Sequence, residues 1–322
     1  MPQPTQSAVH VDRPLTNISV AYIQDQSRFI ASTVFPVIPV QKQSDKYFTY
    51  TKNDWFRDEA QLRGDATEAA GSGYNLSTDN YSCDVYAMRK DVGDQVLENS
   101  DDPIRPFEDA TRFVTQKLLL KQEIQWVTDA FADSIWDTNV TGGTDFTKWS
   151  DETDSDPIDD IELGKETILQ NTGQEANTLV LGYQVFRKLK QHPDLIDRMK
   201  YTGSGAVIPP TTQMMAGLFG VSRVLVASAV KATNVEGATA AYSFTFGKNA
   251  GLFYVNPSPG TLAPSAGYTF VWRDVSQGMG LDIGIKRYRI ETIAANRVEG
   301  QIAWDNKITG SDLGYMFLSA VA

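Results

Sequence analysis

Sulfur and imidazole chemistry are scarce in this sequence, which has one cysteine and two histidines in 322 residues. A single cysteine, Cys83, cannot form an internal disulfide, so a disulfide-stapled secreted fold is excluded. The start, MPQPTQSAVH, has neither the basic end nor the apolar run of a secretory signal, which predicts synthesis in a reducing, intracellular compartment. His10 and His192 are too few for a His-rich metal site, and no Ser-His-Asp triad is expected from them.

Long apolar runs and positive charge are also scarce. Prolines interrupt the apolar residues 29–40 and an arginine interrupts residues 214–230, so no membrane span is expected. Lys and Arg number 29 against 40 Asp and Glu, a formal charge of -11, whereas nucleic-acid binders usually carry a concentrated basic footprint. The densest basic run, residues 286–289, alternates like a solvated strand face. Tight, direct DNA binding is therefore not expected.

The longest helical signal covers residues 106–136. Pro106 suits a first helical turn, acidic residues follow it, and no Gly or Pro interrupts the pattern before Gly142. The apolar spacing predicts a buried stripe of Phe113, Leu120, Ile124, Val127, Phe131 and Ile135. The same pattern predicts that Arg112, Lys117, Lys121 and Glu123 lie on the polar side. A helix of this length must lie across other elements of the fold.

Two segments with little core of their own precede the helix. Residues 1–45 indicate an extended arm, whose proline-containing run 34–40 suits only an edge or extended strand. Residues 46–92 indicate a long two-stranded loop, with strands at 46–52 and 81–89 around a polar, glycine-containing span. This span holds three large aromatic residues that are costly to expose, which predicts docking onto another surface: Trp55, Phe56 and Tyr74.

The residues after the helix indicate α/β organisation. The acidic run 151–160 lacks the spacing and glycine of a calcium loop, and instead predicts a linker followed by a helix with Asp156 as N-cap and Pro157 in its first turn. A buried strand is expected at 178–182, short helices follow, and further strands are expected near 222–227, 242–246, 252–255 and 268–272. A strand pair around Asn296 and a final strand from Leu313 close the chain. The overall class is α+β.

The glycines in residues 278–284 have the wrong spacing for a dinucleotide-binding motif, and no P-loop pattern occurs in the sequence. A pair of catalytic carboxylates remains open from sequence alone, although nothing selects one. Cys83 lies in a strand-like run, which favours a buried, inert thiol.

The order of these elements resembles the major capsid proteins of tailed bacteriophages, which share the Hong Kong-type fold with herpesvirus capsids. The resemblance rests on seven sequence segments: residues 29–31 (FIA), 34–40 (VFPVIPV), 46–48 (KYF), 177–183 (NTLVLGY), 192–195 (HPDL), 198–201 (RMKY) and the ending 288–315. The resemblance covers nearly the whole chain, although these segments are less specific than a catalytic motif.

The resemblance implies a five-part division: an N-terminal arm (1–45), an extended loop (46–92), a peripheral domain (93–153, with the long helix as its spine, and 286–322) and an axial domain (154–285). It implies a non-enzymatic subunit, without a cofactor, that forms hexamers and pentamers in an icosahedral shell around double-stranded DNA. The negative charge would let the shell hold DNA with only weak contact. The inter-subunit contacts expected from arm and loop are Phe35, Trp55, Phe56, Arg57, Arg63 and Tyr74.

The same resemblance implies synthesis in the bacterial host cytoplasm and portal and decoration partners. A scaffolding protein, if one is used, is expected to be a separate chain, because no long helical segment precedes the arm. Two alternatives remain: another virion component, such as a tail or head-completion protein, and an intracellular hydrolase that uses buried carboxylates.

Overall fold

The computed structural model describes residues 24–50, 52–100, 104–132, 134–200, 210–260, 262–276 and 283–322. The helices in these ranges are α1 (Ala31–Val34), α2 (Lys52–Trp55), α3 (Asp94–Glu98), α4 (Pro106–Ala130), α5 (Pro157–Thr172), α6 (Tyr183–Leu189), α7 (Pro193–Lys200), α8 (Thr212–Leu218) and α9 (Arg273–Ser276). The strands are β1 (Val37–Val40), β2 (Ser44–Tyr50), β3 (Leu76–Ser82), β4 (Asp84–Gly93), β5 (Thr138–Thr141), β6 (Thr178–Gly182), β7 (Arg223–Ala227), β8 (Val230–Ala232), β9 (Tyr242–Phe244), β10 (Ala250–Phe253), β11 (Gly267–Trp272), β12 (Gly284–Ile290), β13 (Ala295–Ile308) and β14 (Gly314–Leu318).

Helix α4 is the long helix that the sequence predicts, but it ends at Ala130 rather than at residue 136. Its last turn is closed by the Phe131 N–H, which donates to the Val127 carbonyl. The indole N–H of Trp136 then donates to the Ala130 carbonyl at 2.6 Å. Between these two residues, Ser134 has a left-handed backbone conformation with a φ of 64°. A side chain from beyond the helix thus satisfies one of its terminal carbonyls.

The predicted apolar stripe is wrong for the residues within α4, although its member Phe131, just after the helix, is buried. Phe113 is 38% exposed, and Leu120, Ile124 and Val127 are only half-buried. The buried residues of the helix are Ala110, Val114, Leu118, Gln122, Glu123, Trp126 and Ala130. Most of them are four apart, and each such step rotates the buried position by about 40°. The contact face therefore winds around the helix, because one half of α4 packs on a sheet and the other half packs under the arm.

The first sheet surrounds β13, and its strand order in the described residues is β1-β11-β13-β12, with β4 also paired to β13. Strands β4, β11 and β12 are antiparallel to β13. Val114 and Leu118 of α4 pack on this sheet with Ile302 and Trp304. Gly300 allows this close approach, because a Cβ there would lie 2.5 Å from Val114. Strand β1 is parallel to β11. It lies at the edge of the sheet, which is the position that the proline-containing run 34–40 predicts.

The second sheet has the order β5-β14-β10-β6-β7, and β6 is buried along its whole length. One face packs on α5 to α8, and the other packs on the arm and on the end of α4. Helix α5 begins as the sequence predicts: the Asp156 carboxylate accepts the N–H groups of Ile158 and Asp159 at 3.1 Å. The capping chemistry of a few local residues was enough to predict this helix start.

The two sheets mix segments that the predicted five-part division separates. Strand β11 precedes residue 286 but lies in the first sheet, and β5 and β14 lie in the second sheet although their segments are assigned to the peripheral domain. Long-range pairing, which local sequence does not encode, produces this exchange. The division itself stays a prediction. Residues 1–23 of the predicted arm, including His10, and the glycines at 278 and 280 lie outside the described residues.

Candidate functional site

The predicted two-stranded loop is present as a separate antiparallel hairpin. Strand β2 pairs with β3 from Ser44↔Ser82 to Tyr50↔Leu76, and these two strands form their own sheet. The second predicted strand is divided at Cys83, because β4 leaves the hairpin and joins β13 in the first sheet. We use the name hairpin for residues 44–82. Its outer part carries the candidate contact residues.

An aromatic cluster lies where the two hairpin strands open into the connecting segment. The rings of Tyr50, Trp55 and Tyr74 contact one another, with centroid distances of 5.6 to 6.3 Å. Trp55 is 52% exposed and Tyr74 is 62% exposed. Phe48 and Leu76 add further exposed apolar surface beside them. Contiguous apolar surface of this kind marks an interaction site more often than a stable solvent-facing surface.

The inner part of the hairpin packs on the first sheet, where the rings of Tyr47 and Tyr81 stack on Phe270. Two further contacts in the described residues join its outer part to the subunit. Lys52 forms an ion pair with Asp312. The ring of Phe56 lies beside Gly173, where a Cβ would be 3.6 Å from the ring, and Gly173 ends α5 with a φ of 68°. Phe56 nevertheless remains 61% exposed, so this contact covers only part of its ring.

The two candidate arginines of the hairpin are exposed and make only local contacts. A guanidinium nitrogen of Arg57 lies 3.8 Å from a Glu59 carboxylate oxygen. Arg63 donates from Nε to the Thr67 carbonyl at 2.7 Å. Both guanidinium groups keep donors directed to solvent, which is the property that an inter-subunit contact to a carboxylate requires.

The expectation for Phe35 is corrected, because this residue is fully buried within its own subunit. Its ring makes edge contacts with Trp126 at 5.9 Å and Trp136 at 6.5 Å. A Cβ on Gly267 would lie 2.5 Å from the ring. The arm thus folds onto its own subunit at this point, and Phe35 offers no surface to a neighbour.

Proteins that are similar to this chain in sequence are phage capsid proteins. The chain is 28% identical to the major capsid protein of Burkholderia phage BcepMu over 273 residues, covering 80% of this chain and 82% of the relative. It is 24% identical to the major capsid protein of Pseudomonas phage JBD67, covering 97% of both chains. No family model matches the chain. The capsid structure of cyanophage P-SCSP1u shares the fold, with a TM-score of 0.63, 11% identity, and coverage of 97% of this chain and 93% of that one.

The chain resembles phage major capsid proteins in sequence over most of its length. It has the Hong Kong-type capsid fold, in the α+β class that the sequence predicts, and it functions as a structural subunit of the virion capsid. Within the described ranges, no helix has the length and apolar character needed to cross a bilayer.

The capsid protein contains one constellation that resembles catalytic chemistry and that sequence reasoning did not expect. The buried Ser155 hydroxyl lies 3.0 Å from Nε2 of the buried His192, whose Nδ1 is 3.6 Å from a carboxylate oxygen of Asp194. The Ser155 hydroxyl donates to the Asp151 carbonyl, so its proton is not directed at the imidazole. The His192 carbonyl accepts the Ile196 N–H in the first turn of α7. This geometry holds two loops together and does not activate a nucleophile.

The predicted buried thiol is confirmed. Cys83 is fully buried, its Sγ lies 3.5 Å from the Phe270 carbonyl oxygen, and burial raises the pKa of the thiol to about 12. Thiolate chemistry is therefore suppressed at neutral pH. In the described part of the chain, no group of three or more potential ligands is placed to hold a metal ion.

The capsid protein also buries a carboxylate that sequence reasoning placed on the solvent side. Glu123 of α4 is 1% exposed, and its Oε2 accepts the Ala31 N–H at the start of α1 at 3.0 Å. Its other carboxylate oxygen has no partner in the described residues. Burial raises the pKa of Glu123 to about 7. No sequence signal marks it, because its partner is a backbone N–H 92 residues away.

Proposed function

We propose that this capsid protein assembles through hexamers and pentamers into an icosahedral shell that encloses double-stranded DNA, and that its hairpin makes contacts between subunits. The observation that carries the proposal is the hairpin itself. It consists of two strands with exposed aromatic residues, it has no core of its own, and it lies outside both five-stranded sheets. An isolated hairpin is marginally stable in water, so covering by another surface would stabilise it.

The contact residues of the proposal are those of the hairpin that remain accessible. Trp55, Phe56 and Tyr74 supply aromatic surface, which is enriched at the centres of protein interfaces. Arg57 and Arg63 supply guanidinium groups at the rim. In the proposal the hairpin of one copy is covered by a different surface patch of the next copy, so the contact is heterologous, and such contacts form rings when the rotation between copies closes.

The remaining parts of the proposal concern its setting. The subunit is made in the bacterial host cytoplasm, and portal, decoration and, where used, scaffolding proteins are separate chains. The capsid homologues support a structural and non-enzymatic role.

Deletion of residues 54–73 tests the proposal. This deletion removes Trp55, Phe56 and both arginines, but it leaves the strand pairing of β2 with β3 intact. We expect a soluble, folded subunit that forms no shells, measured by sedimentation and negative-stain microscopy. Normal shells from the deleted chain would refute the assignment of the hairpin.

A double substitution distinguishes the effect of losing the aromatic rings from the effect of shortening the loop. Trp55→Ser combined with Tyr74→Ser removes the exposed rings while the loop keeps its length. Val235→Ser is the matched control, because Val235 is 77% exposed and lies outside the hairpin. We expect shells from the control and capsomers or free subunits from the double variant.

A further inference from the structure

Three lysine ammonium groups follow the outer flank of α4 and the neighbouring strand β4. The Nζ atoms of Lys90 and Lys117 lie 5.1 and 5.5 Å from the centroid of the Phe113 ring. The Nζ atom of Lys121 lies 5.3 Å from the centroid of the Tyr86 ring. We call these three lysines the lysine strip. The rings hold the ammonium groups in place by cation–π attraction.

No carboxylate of the described residues balances the charge of the lysine strip. Lysines that lie within ion-pair distance of Asp or Glu are Lys42, Lys52, Lys165, Lys188 and Lys307. Across the described ranges, no carboxylate lies within that distance of a strip lysine; Lys121 donates to the neutral Gln125 Oε1 at 3.3 Å. In a chain with a net charge of -11, this is a local positive surface.

Several carboxylates near the strip are engaged with other groups. Asp91 accepts two hydrogen bonds from Arg297, at 2.6 and 2.9 Å, and this guanidinium lowers the pKa of Asp91. Asp129 accepts from the Gln125 amide at 2.8 Å. The exposed Asp84 and Asp109 lie toward the two ends of the strip. Lys90 and Lys117 therefore keep their ammonium donors for an external anion, and Lys121 keeps those that Gln125 does not accept.

The arrangement fits an extended polyanion better than a compact ligand. Lys117 and Lys121 are one helical turn apart, which places their Cβ atoms about 5 to 6 Å from each other. Lys90 extends the row onto the adjacent strand, and the surface is open rather than enclosed. Duplex DNA presents one charge per about 1.7 Å of axis, so a row of cations can neutralise several phosphates at once.

We infer that the lysine strip is the surface on which this subunit contacts the phosphate backbone of duplex DNA. The inference rests on the proposed function, because the shell brings DNA to the subunit. Such contacts carry no base specificity, since they reach only the backbone. Because the chain as a whole carries a net charge of -11, we expect such contacts to be few.

Binding of duplex DNA by the full-length, unassembled subunit tests the inference. The probe is a fluorescent duplex of about 30 base pairs of mixed sequence, titrated between about 50 and 200 mM NaCl, where counterion release sets the salt dependence. The test variant replaces Lys90, Lys117 and Lys121 by Gln. We expect the slope of log K against log salt to become shallower by about 2 to 3, close to 0.9 per lost phosphate contact.

The matched control changes the net charge equally at other sites. It replaces Lys46, Lys190 and Lys248 by Gln; Lys46 and Lys248 are exposed, and Lys190 lies 5.4 Å from the Phe186 ring centroid in a cation–π contact like those of the strip. We expect the control to keep the wild-type slope. Equal slopes for strip and control variants, or no DNA binding by the wild type at the lowest salt, would overturn the inference.

Two further measurements keep the result interpretable. The strip variant should unfold at the wild-type midpoint, because substitutions at the surface usually change stability by less than about 0.5 kcal/mol. The single variants Lys117→Gln and Lys121→Gln should each reduce the slope by about 0.9 if the triple variant is unstable. Shell formation is scored separately by microscopy: failure of the wild type to form shells counts against the proposed function, whereas altered DNA binding in shell-forming variants bears only on the strip.

Discussion

The second sheet and the hairpin contain similar aromatic residues in opposite environments. Around the sheet, Phe131, Phe246 and Phe253 form edge contacts at 4.3 to 5.7 Å and are almost fully buried. In the hairpin, Trp55 and Tyr74 stack only with hairpin residues and remain more than half exposed. The difference teaches that the sheet side chains stabilise the subunit, whereas Trp55 and Tyr74 would become buried only in the inter-subunit contact proposed above.

The largest expected effect is on the stability of the buried aromatic cluster. Phe131→Ala should reduce the free energy of unfolding by about 3 to 5 kcal/mol, because it leaves a cavity between rings of the core. Trp55→Ala should change it by less than about 0.5 kcal/mol, as expected for an exposed site. Chemical denaturation of the unassembled subunit measures both. Equal losses in the two variants would remove the contrast between sheet and hairpin.

A smaller effect is expected from the buried carboxylate of α4. The pKa of Glu123 is raised from 4.5 to about 7, so the folded state holds a proton that the unfolded state has lost between these pH values. Its contribution to stability is therefore fully present below about pH 4.5 and is lost as the pH rises to about 7. Glu123→Gln removes this loss and should stabilise the subunit at pH 8 by about 2 kcal/mol.

The pH dependence separates this explanation from a simple packing effect. At pH 5 the Glu123→Gln variant and the wild type should differ much less than at pH 8, measured by denaturation at both values. Glu68→Gln, an exposed hairpin variant, should show no difference between the two pH values. A constant offset for Glu123→Gln at both pH values would show that the carboxylate charge is not the cause.

The third comparison is between alanine substitutions of two glycines, one in the first sheet and one in the hairpin. Gly267→Ala should destabilise the subunit by about 1 to 3 kcal/mol, because the added Cβ would overlap the buried ring of Phe35 and force it to move. Gly71→Ala in the hairpin should be neutral or slightly stabilising, since no atom lies within 4 Å of the added Cβ. Thermal unfolding distinguishes the two, and a neutral Gly267→Ala would mean that the arm does not depend on this contact.

Local chemistry explains what could be predicted from the sequence. The Asp156 cap, the buried strand at 178–182, the edge position of β1 and the two-stranded hairpin each follow from a few neighbouring residues. The exposed aromatic residues of the hairpin were also recognised, because the polar span around them cannot form a core.

Long-range packing explains what could not be predicted. The buried face of α4 winds around the helix because its two halves have different partners, so a single stripe was the wrong model. Phe35 was expected at an interface, but Trp126 and Gly267, far away in sequence, enclose it. The contact of Ser155 with His192 and the exchange of strands between the two sheets have the same origin. None of these pairings leaves a local pattern.

Negative-stain microscopy of the purified wild-type chain, with sedimentation of the same sample, tests the central claim most directly. A capsid subunit whose hairpin is stabilised by neighbouring copies should form round shells or rings of capsomers. A chain that stays monomeric at high concentration, under crowding and with any candidate scaffolding protein added, would contradict the account.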